Sequence, residues 1–447
     1  MTILERLGAH AASGYRQGLS GPAREVLKLH IADTVAAWIA ACTTVEGRAL
    51  LAFEPSERAS MPRRAGLACA LARLSEVDDI HLSSATTPGA IVIPAALTLG
   101  AALGRSGEEV AGAVSVGYDL MTRLGEALGG PTILYRGLWP TYFLAPAAVA
   151  AVAARLLDLD EKQGAHALAT ALAFASPAVG RQSGAGMSRW LAIANAARSG
   201  VTAALAARSG FTGDLRLFEG EFFPGVYHLA PDVDAPDEAA EPGPSVLRTS
   251  FKPWCAARQT MAAVEALREV IAEGVTIADM TELTVGVPLP YLKMIDHGVA
   301  PGERTSHLTS VPYQMALFAF DQNASLDPRQ ARDSLPRAME RFMARISVQA
   351  DEDLARHYPR CWPAWIAVDT PRGPWEKLVL HVPGDPERPF DELQVAAKFW
   401  RLTGHLLGEG PAETLLRLAL TAIDGEGGAT ALLEAIDRAV AAASRAS

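Results

Sequence analysis

From Arg24 to Cys42, apolar or small side chains recur at Leu27, Ile31, Val35, Trp38, Ile39 and Cys42, the spacing of one helical face, while Arg24 and Lys28 take the wet side. The same period predicts helices over Ala65 to Leu74, Ala95 to Leu103, Glu108 to Leu128, Pro146 to Leu157, Glu161 to Ala175 and Leu191 to Ser209. Glu108 shows how such a helix opens: Ser106 is placed to cap it, and the acids at 108 and 109 sit where the amide dipoles favour negative charge. After residue 245 the texture changes. In "MTELTVGVPL", Leu283, Val285 and Val287 alternate with Thr284 and Gly286, the period of a half-buried strand. Ile366 to Val368 and Leu378 to Val382, joined by "TPRGPW", predict a hairpin. Between these textures, "APDVDAPDEAAEPGP" (Ala230 to Pro244) is acidic, rich in proline and poor in large apolar residues, which reads as an exposed linker. Beyond Pro389 helical spacing returns, and the tail is expected to rejoin the first domain. There is no internal repeat of solenoid length.

Composition narrows this picture. The 447 residues exceed one ordinary core, so two domains are expected. Apolar residues make up 49% and aromatics only 6%, with alanine foremost, which favours helices packed closely through small side chains. A formal net charge of −10 without a basic tract would repel nucleic acid. Cys42, Cys69, Cys255 and Cys361 lie far apart, with no CxxC pair and no secreted-scaffold density, so a reducing compartment is expected. The N-terminus has Glu5, Arg6 and Arg16 among its apolar residues, unlike a signal peptide, which points to the cytoplasm. Leu82 to Gly104 has no charge and is long enough for a bilayer, but its prolines, hydroxyls and alanine content favour a buried segment and no membrane.

For chemistry, GxGxxG after a strand, the P-loop, HExxH and G-x-S-x-G are all missing. "GRQSGAG" (Gly180 to Gly186) is a weak glycine-rich candidate for cradling phosphate. What remains is a constellation on otherwise apolar or small segments. "SEVDDIHLSSATTPG" carries Glu76, Asp78, Asp79 and His81; Lys252 lies in "SFKPWC", Arg189 in "GMSRW" and Tyr313 in "SVPYQMA". Ionisable groups in such settings are costly unless paired or functional. Together they supply a base, a cation for a developing enediolate and a hydroxyl acid, the needs of proton abstraction beside a carboxylate. His307, near Tyr313, and Cys255, near Lys252, are lesser candidates.

Several stretches in order, "IADTVAAWIAA", "VDDIHLSSATTPGAIVIPAAL", "VGYDLMTRLGEAL", "ANAARSGVTAALAARSGFTGDLRLFEG", "FKPWC", "SVPYQMA" and "KFWRLTG", resemble the MmgE/PrpD family, which includes 2-methylcitrate dehydratase, cis-aconitate decarboxylase and iminodisuccinate epimerase. The resemblance implies a mainly α fold: a large all-helical domain built from both chain ends, here 1–245 and 391–447, with a smaller α+β lid inserted at 246–390. It also implies a homodimer, an active site between the domains and no organic cofactor or metal. Lys252 then matches the family's lid-hinge lysine, and Tyr313 the tyrosine of its S-x-x-Y segment. The family's D-F-D-D-T motif falls on Glu76 to Ile80, its histidine before proline on Thr87, its G-x-H-P-T histidine on Trp139, and its T-K pair on Ser188 and Arg189.

Loss of two imidazoles argues for a changed substrate or reaction. His81 is the compensating base, its ring to be oriented by Asp78 or Asp79. Arg189 offers a planar carboxylate clamp, and Trp139 a wall. The leading expectation is a dehydratase-like lyase of a small di- or tricarboxylate, with His81 or Lys252 as base, Asp79 assisting, Tyr313 as acid, and Glu76, Asp78, Thr87, Trp139 and Arg189 binding. The alternatives are a dicarboxylate epimerase or isomerase, a decarboxylase, or a catalytically lapsed binding protein of the same fold.

Overall fold

A computed structural model describes residues 1–53, 60–176, 186–234 and 243–445. The described residues are mainly helical, with one small sheet. The chain divides into two compact units: the first takes residues up to Phe251 and from Asp391 onward, and the second is Lys252–Phe390.

The first unit is helical. Its N-terminal part holds α1 (Ile3–Ser13), α2 (Gly21–Ala41), α3 (Val45–Phe53), α4 (Met61–Leu74), α5 (Gly89–Leu103), α6 (Gly107–Ala127), α7 (Pro131–Tyr135), α8 (Pro140–Leu156), α9 (Glu161–Ala173) and α10 (Ser188–Arg208). α6 opens as its sequence requires: Ser106 Oγ accepts the Glu109 N–H at 3.3 Å, and Glu109 accepts the Ser106 N–H at 2.9 Å. α5 and α8 are buried nearly all round, which accounts for their lack of charge in the interior. Small residues let the helices close. At Gly200 of α10 a Cβ would stand 2.4 Å from the Pro146 carbonyl oxygen. Both α5 and α8 begin earlier than their pattern predicts, at Gly89 and Pro140 rather than Ala95 and Pro146. Pro94 and Pro146 lie inside these helices, each removing a ladder hydrogen bond while the packed neighbours hold the helix together. No single helix among the described residues is long and apolar enough to cross a membrane. The charge-free stretch from Leu82 divides into a loop and the 15-residue α5.

In the second unit α11 (Arg258–Ala272) packs on a sheet of order β2-β1-β3-β4. β1 (Glu282–Val287) runs parallel to β2 (Ile346–Ala350) and antiparallel to β3 (Ala364–Thr370), with Val285 opposite Ile366. β3 and β4 (Gly373–Val379) form the expected hairpin, but its second arm spans Gly373–Val379, not Leu378 to Val382, with Thr370 facing Gly373 across the turn. β4 is an edge strand whose alternate residues Pro374, Glu376 and Leu378 face outward, and Leu378 is half exposed, so apolar content misplaced it. The remaining helices are α12 (Leu292–Ile295), α13 (Arg304–Thr309), α14 (Val311–Phe320) and α15 (Arg337–Met343). A fully buried pair locks the start of α11: the Arg258 guanidinium donates to both Asp385 carboxylate oxygens at 3.0 and 2.7 Å.

The C-terminal helices α16 (Glu392–Leu407), α17 (Glu409–Thr421) and α18 (Gly428–Ala443) belong to the first unit, where α16 and α17 pack on α2 and α18 on α5.

Candidate active site

The acid-rich segment leaves α4 and enters α5, and its carboxylates divide between two sets of partners. Arg73, in the last turn of α4, reaches Glu76 at 2.9 Å and Asp78 at 3.4 Å. Glu76 closes that loop with a φ of 59°, a left-handed conformation uncommon for a residue with a side chain. The Lys398 ammonium of α16 donates to the Val77 carbonyl at 2.9 Å and pairs with Asp33 at 2.6 Å. Burial raises the Asp33 carboxyl above its ordinary range, and Lys398 opposes that shift.

Asp79 is the hub of the second set. Its Oδ1 accepts the Gly89 N–H at 2.8 Å, satisfying one of the amides that open α5. Its Oδ2 accepts the Tyr118 hydroxyl at 2.5 Å and faces His30 Nδ1 at 2.9 Å. Gly89 is required here, because a Cβ would sit 2.5 Å from Asp79 Oδ2 and 2.7 Å from Tyr118 Oη. His30 stacks on Phe251 with centroids 4.1 Å apart, and Ser250 exchanges backbone hydrogen bonds with Ile80. The last residues of the first unit before Lys252 are thus tied to the acid segment.

His81 does not take its orientation from Asp78 or Asp79. Its Nδ1 faces Ser84 Oγ at 3.0 Å, Ser84 Oγ in turn meets Thr86 Oγ1 at 2.7 Å, and the His81 N–H donates to the Thr86 carbonyl. The bridge between Ile80 and Ser250 directs alternate residues of this short stretch oppositely, and both carboxylates already have partners. Burial, then the nearby Arg248 charge, pushes the His81 pKa down to about 3, with Asp79 and Asp119 acting the other way. At neutral pH its ring is uncharged and a weak base.

Thr87 and Trp139, the two positions where the resemblance led one to expect histidine, lie on one part of the fold. Thr87 donates its N–H to Thr141 Oγ1 at 3.0 Å, and the two hydroxyls are 3.2 Å apart. Thr141 is in the first turn of α8, and Trp139 is the residue that precedes that helix. Arg189, at the start of α10, lays its guanidinium over the Trp139 ring, with Cζ 4.1 Å from the centroid, and lies 5.0 Å from that of Trp190. Stacking on the indole fixes the plane of the Arg189 guanidinium.

Lys252 and Tyr313 belong to the second unit, and both are buried. Ser310 caps α14 by accepting the Tyr313 N–H, and His307 meets the phenol ring edge-on at 4.8 Å. His307 is structural and neutral: its Nε2 accepts the Arg332 N–H, so its Nδ1 donates to the Glu303 carbonyl. Burial raises the Tyr313 hydroxyl, while the Arg332 guanidinium, itself paired with Asp321 at 2.8 Å, lowers it. None of the four cysteines forms a disulfide, and all are buried. Burial presses the Cys42 thiol up to about 12, so it forms no thiolate at neutral pH.

Sequence reasoning missed His30, Tyr118 and Tyr142. The available signal was polar groups within apolar helical stripes, His30 and Asp33 on α2 above all. Apart from Gly186, "GRQSGAG" lies outside the described residues. Among the described residues no group of three or more His, Cys, Asp or Glu stands ready to hold a metal ion.

The MmgE/PrpD N-terminal domain model matches residues 5–234, and the MmgE/PrpD C-terminal domain model matches 254–422. No curated protein matches the chain.

Proposed function

From the chain's membership of the MmgE/PrpD family, to which it belongs by both of its parts, we propose that it is a lyase that removes a proton α to a carboxylate of a small di- or tricarboxylic acid and expels water. The family supports a dehydratase-like lyase in general, and the residues of this chain support the finer reading. The observation that carries it is Arg189 stacked on Trp139 beside the first turn of α8, a preorganised cation of carboxylate-clamping geometry.

In this reading Arg189 holds one carboxylate, and the Lys252 amine takes the α-proton. The electron pair left behind forms the carbon–carbon double bond, and the β-hydroxyl departs as water with a proton from Tyr313. His81 is a poor base at its depressed pKa, and its neutral ring serves as a hydrogen-bonding group. Asp79, Glu76 and Asp78 act through position: Asp79 fixes the start of α5, and the other two hold Arg73. Residues Lys252–Phe390 act as the lid, and the enzyme works as a cytoplasmic homodimer without an organic cofactor or metal. The mechanism requires Lys252 and Tyr313 to reach substrate held at Arg189.

A melting screen with di- and tricarboxylic acids tests the reading, since a ligand that binds the folded state raises its stability by mass action. At least one acid is expected to stabilise the protein and to be turned over. If Lys252→Ala and Tyr313→Phe leave both turnover and binding unchanged, the reading fails.

A further inference from the structure

Tyr142 stands beside the Arg189–Trp139 pair of the candidate site. It lies in the first turn of α8, is 2% exposed, and meets Trp139 edge-on at 5.6 Å. The Arg189 guanidinium lies 6.0 Å from its ring centroid, and Arg73, which holds Glu76 and Asp78, is within its electrostatic reach. Its ring is therefore accounted for by packing. Its hydroxyl is not: Tyr142 Oη is buried and makes no hydrogen bond among the described residues. A buried hydroxyl without a partner is a standing cost that a phenylalanine would avoid, and such a group calls for a bound partner.

We propose that Tyr142 is a substrate-binding residue: its hydroxyl donates a hydrogen bond to the substrate carboxylate that meets the Arg189 guanidinium. The inference rests on the carboxylate-lyase reading above and adds a residue that reading does not use. A phenol hydroxyl donates a hydrogen bond, and an anionic acceptor makes the stronger kind of bond with it. The indole of Trp139, packed against both Arg189 and Tyr142, holds the two donors in fixed relation.

The test compares the full-length protein with its Tyr142→Phe variant, with and without succinate or citrate. The substitution keeps the ring and its contact with Trp139. Because the hydroxyl has no partner among the described residues, the melting temperature of the ligand-free variant is expected to equal or exceed that of the parent. Carboxylate binding is expected to weaken about ten- to a hundredfold, the worth of one hydrogen bond to a charged acceptor. A ligand-free variant that melts several degrees lower overturns the inference, because the hydroxyl then serves the fold. A variant that binds the acids as tightly as the parent also overturns it, while leaving the carboxylate-lyase reading in place. A parent protein that neither these two acids nor any other di- or tricarboxylic acid of the screen stabilises overturns both.

Discussion

Acidification should cost this protein stability through His81. In the folded chain burial and Arg248 hold the ring's pKa near 3, against 6.5 for an ordinary imidazole, with Asp79 and Asp119 only partly offsetting them. The unfolded chain therefore binds a proton at His81 that the folded chain refuses, and wherever the unfolded state binds more protons, stability rises with pH. The contribution is complete above pH 6.5 and drains away as pH falls toward 3. Each pH unit in that window costs about 1.4 kcal/mol, so at pH 4.5, about two units below the ordinary value, the loss is about 3 kcal/mol. Carboxylates titrate over the same range, so the assay is a difference. Urea denaturation of the parent and of His81→Gln is followed from pH 8 to 4.5, glutamine retaining an amide that can still meet Ser84. The parent should lose about 3 kcal/mol more than the variant over that interval. Parallel curves would refute the account of a buried, neutral ring.

The other predictions concern packing and the buried ion pair. Gly89→Ala places a methyl group against Asp79 Oδ2 and Tyr118 Oη, atoms pinned by His30 and by the Gly89 amide itself; a loss of about 1–3 kcal/mol is expected in urea denaturation, and a change within about 0.5 kcal/mol would show that the cluster gives way freely. Asp385→Ala leaves Arg258 fully buried without its carboxylate and should cost about 3–5 kcal/mol, whereas Arg258→Met combined with Asp385→Leu should cost markedly less. Equal losses in the single and double variants would contradict that reasoning.

The helices whose ends carry their own chemistry were legible. α6 was readable because Ser106 and Glu109 cap each other within one turn, and α2 because its apolar positions recur at helical spacing from Leu27 to Ile39. α5 and α8 were misplaced at their starts because an interior proline looks like a beginning unless the tertiary packing around it is known. β2 escaped notice although Ile346, Val348 and Ala350 alternate with Ser347 and Gln349, because five residues with no fully buried side chain make a weak signal. In the site, the acid cluster was visible as a cluster, but its division was not. Whether Asp79 serves His81 or His30 depends on contacts between α2, α6 and the loop after α4, groups 49 and 39 positions apart. Tyr142 stayed hidden for a different reason, since an unmade hydrogen bond leaves no mark in a sequence.

The central claim is that this chain takes a proton from the carbon beside a carboxylate. It is tested most directly by incubating the protein with di- and tricarboxylic acids in deuterated water and following both deuterium at that carbon and the ultraviolet absorbance of a new double bond. The account predicts alkene formation that disappears in Lys252→Ala. Deuterium incorporation without an alkene would replace elimination by epimerisation, and an acid that binds yet shows neither signal would contradict the claim itself.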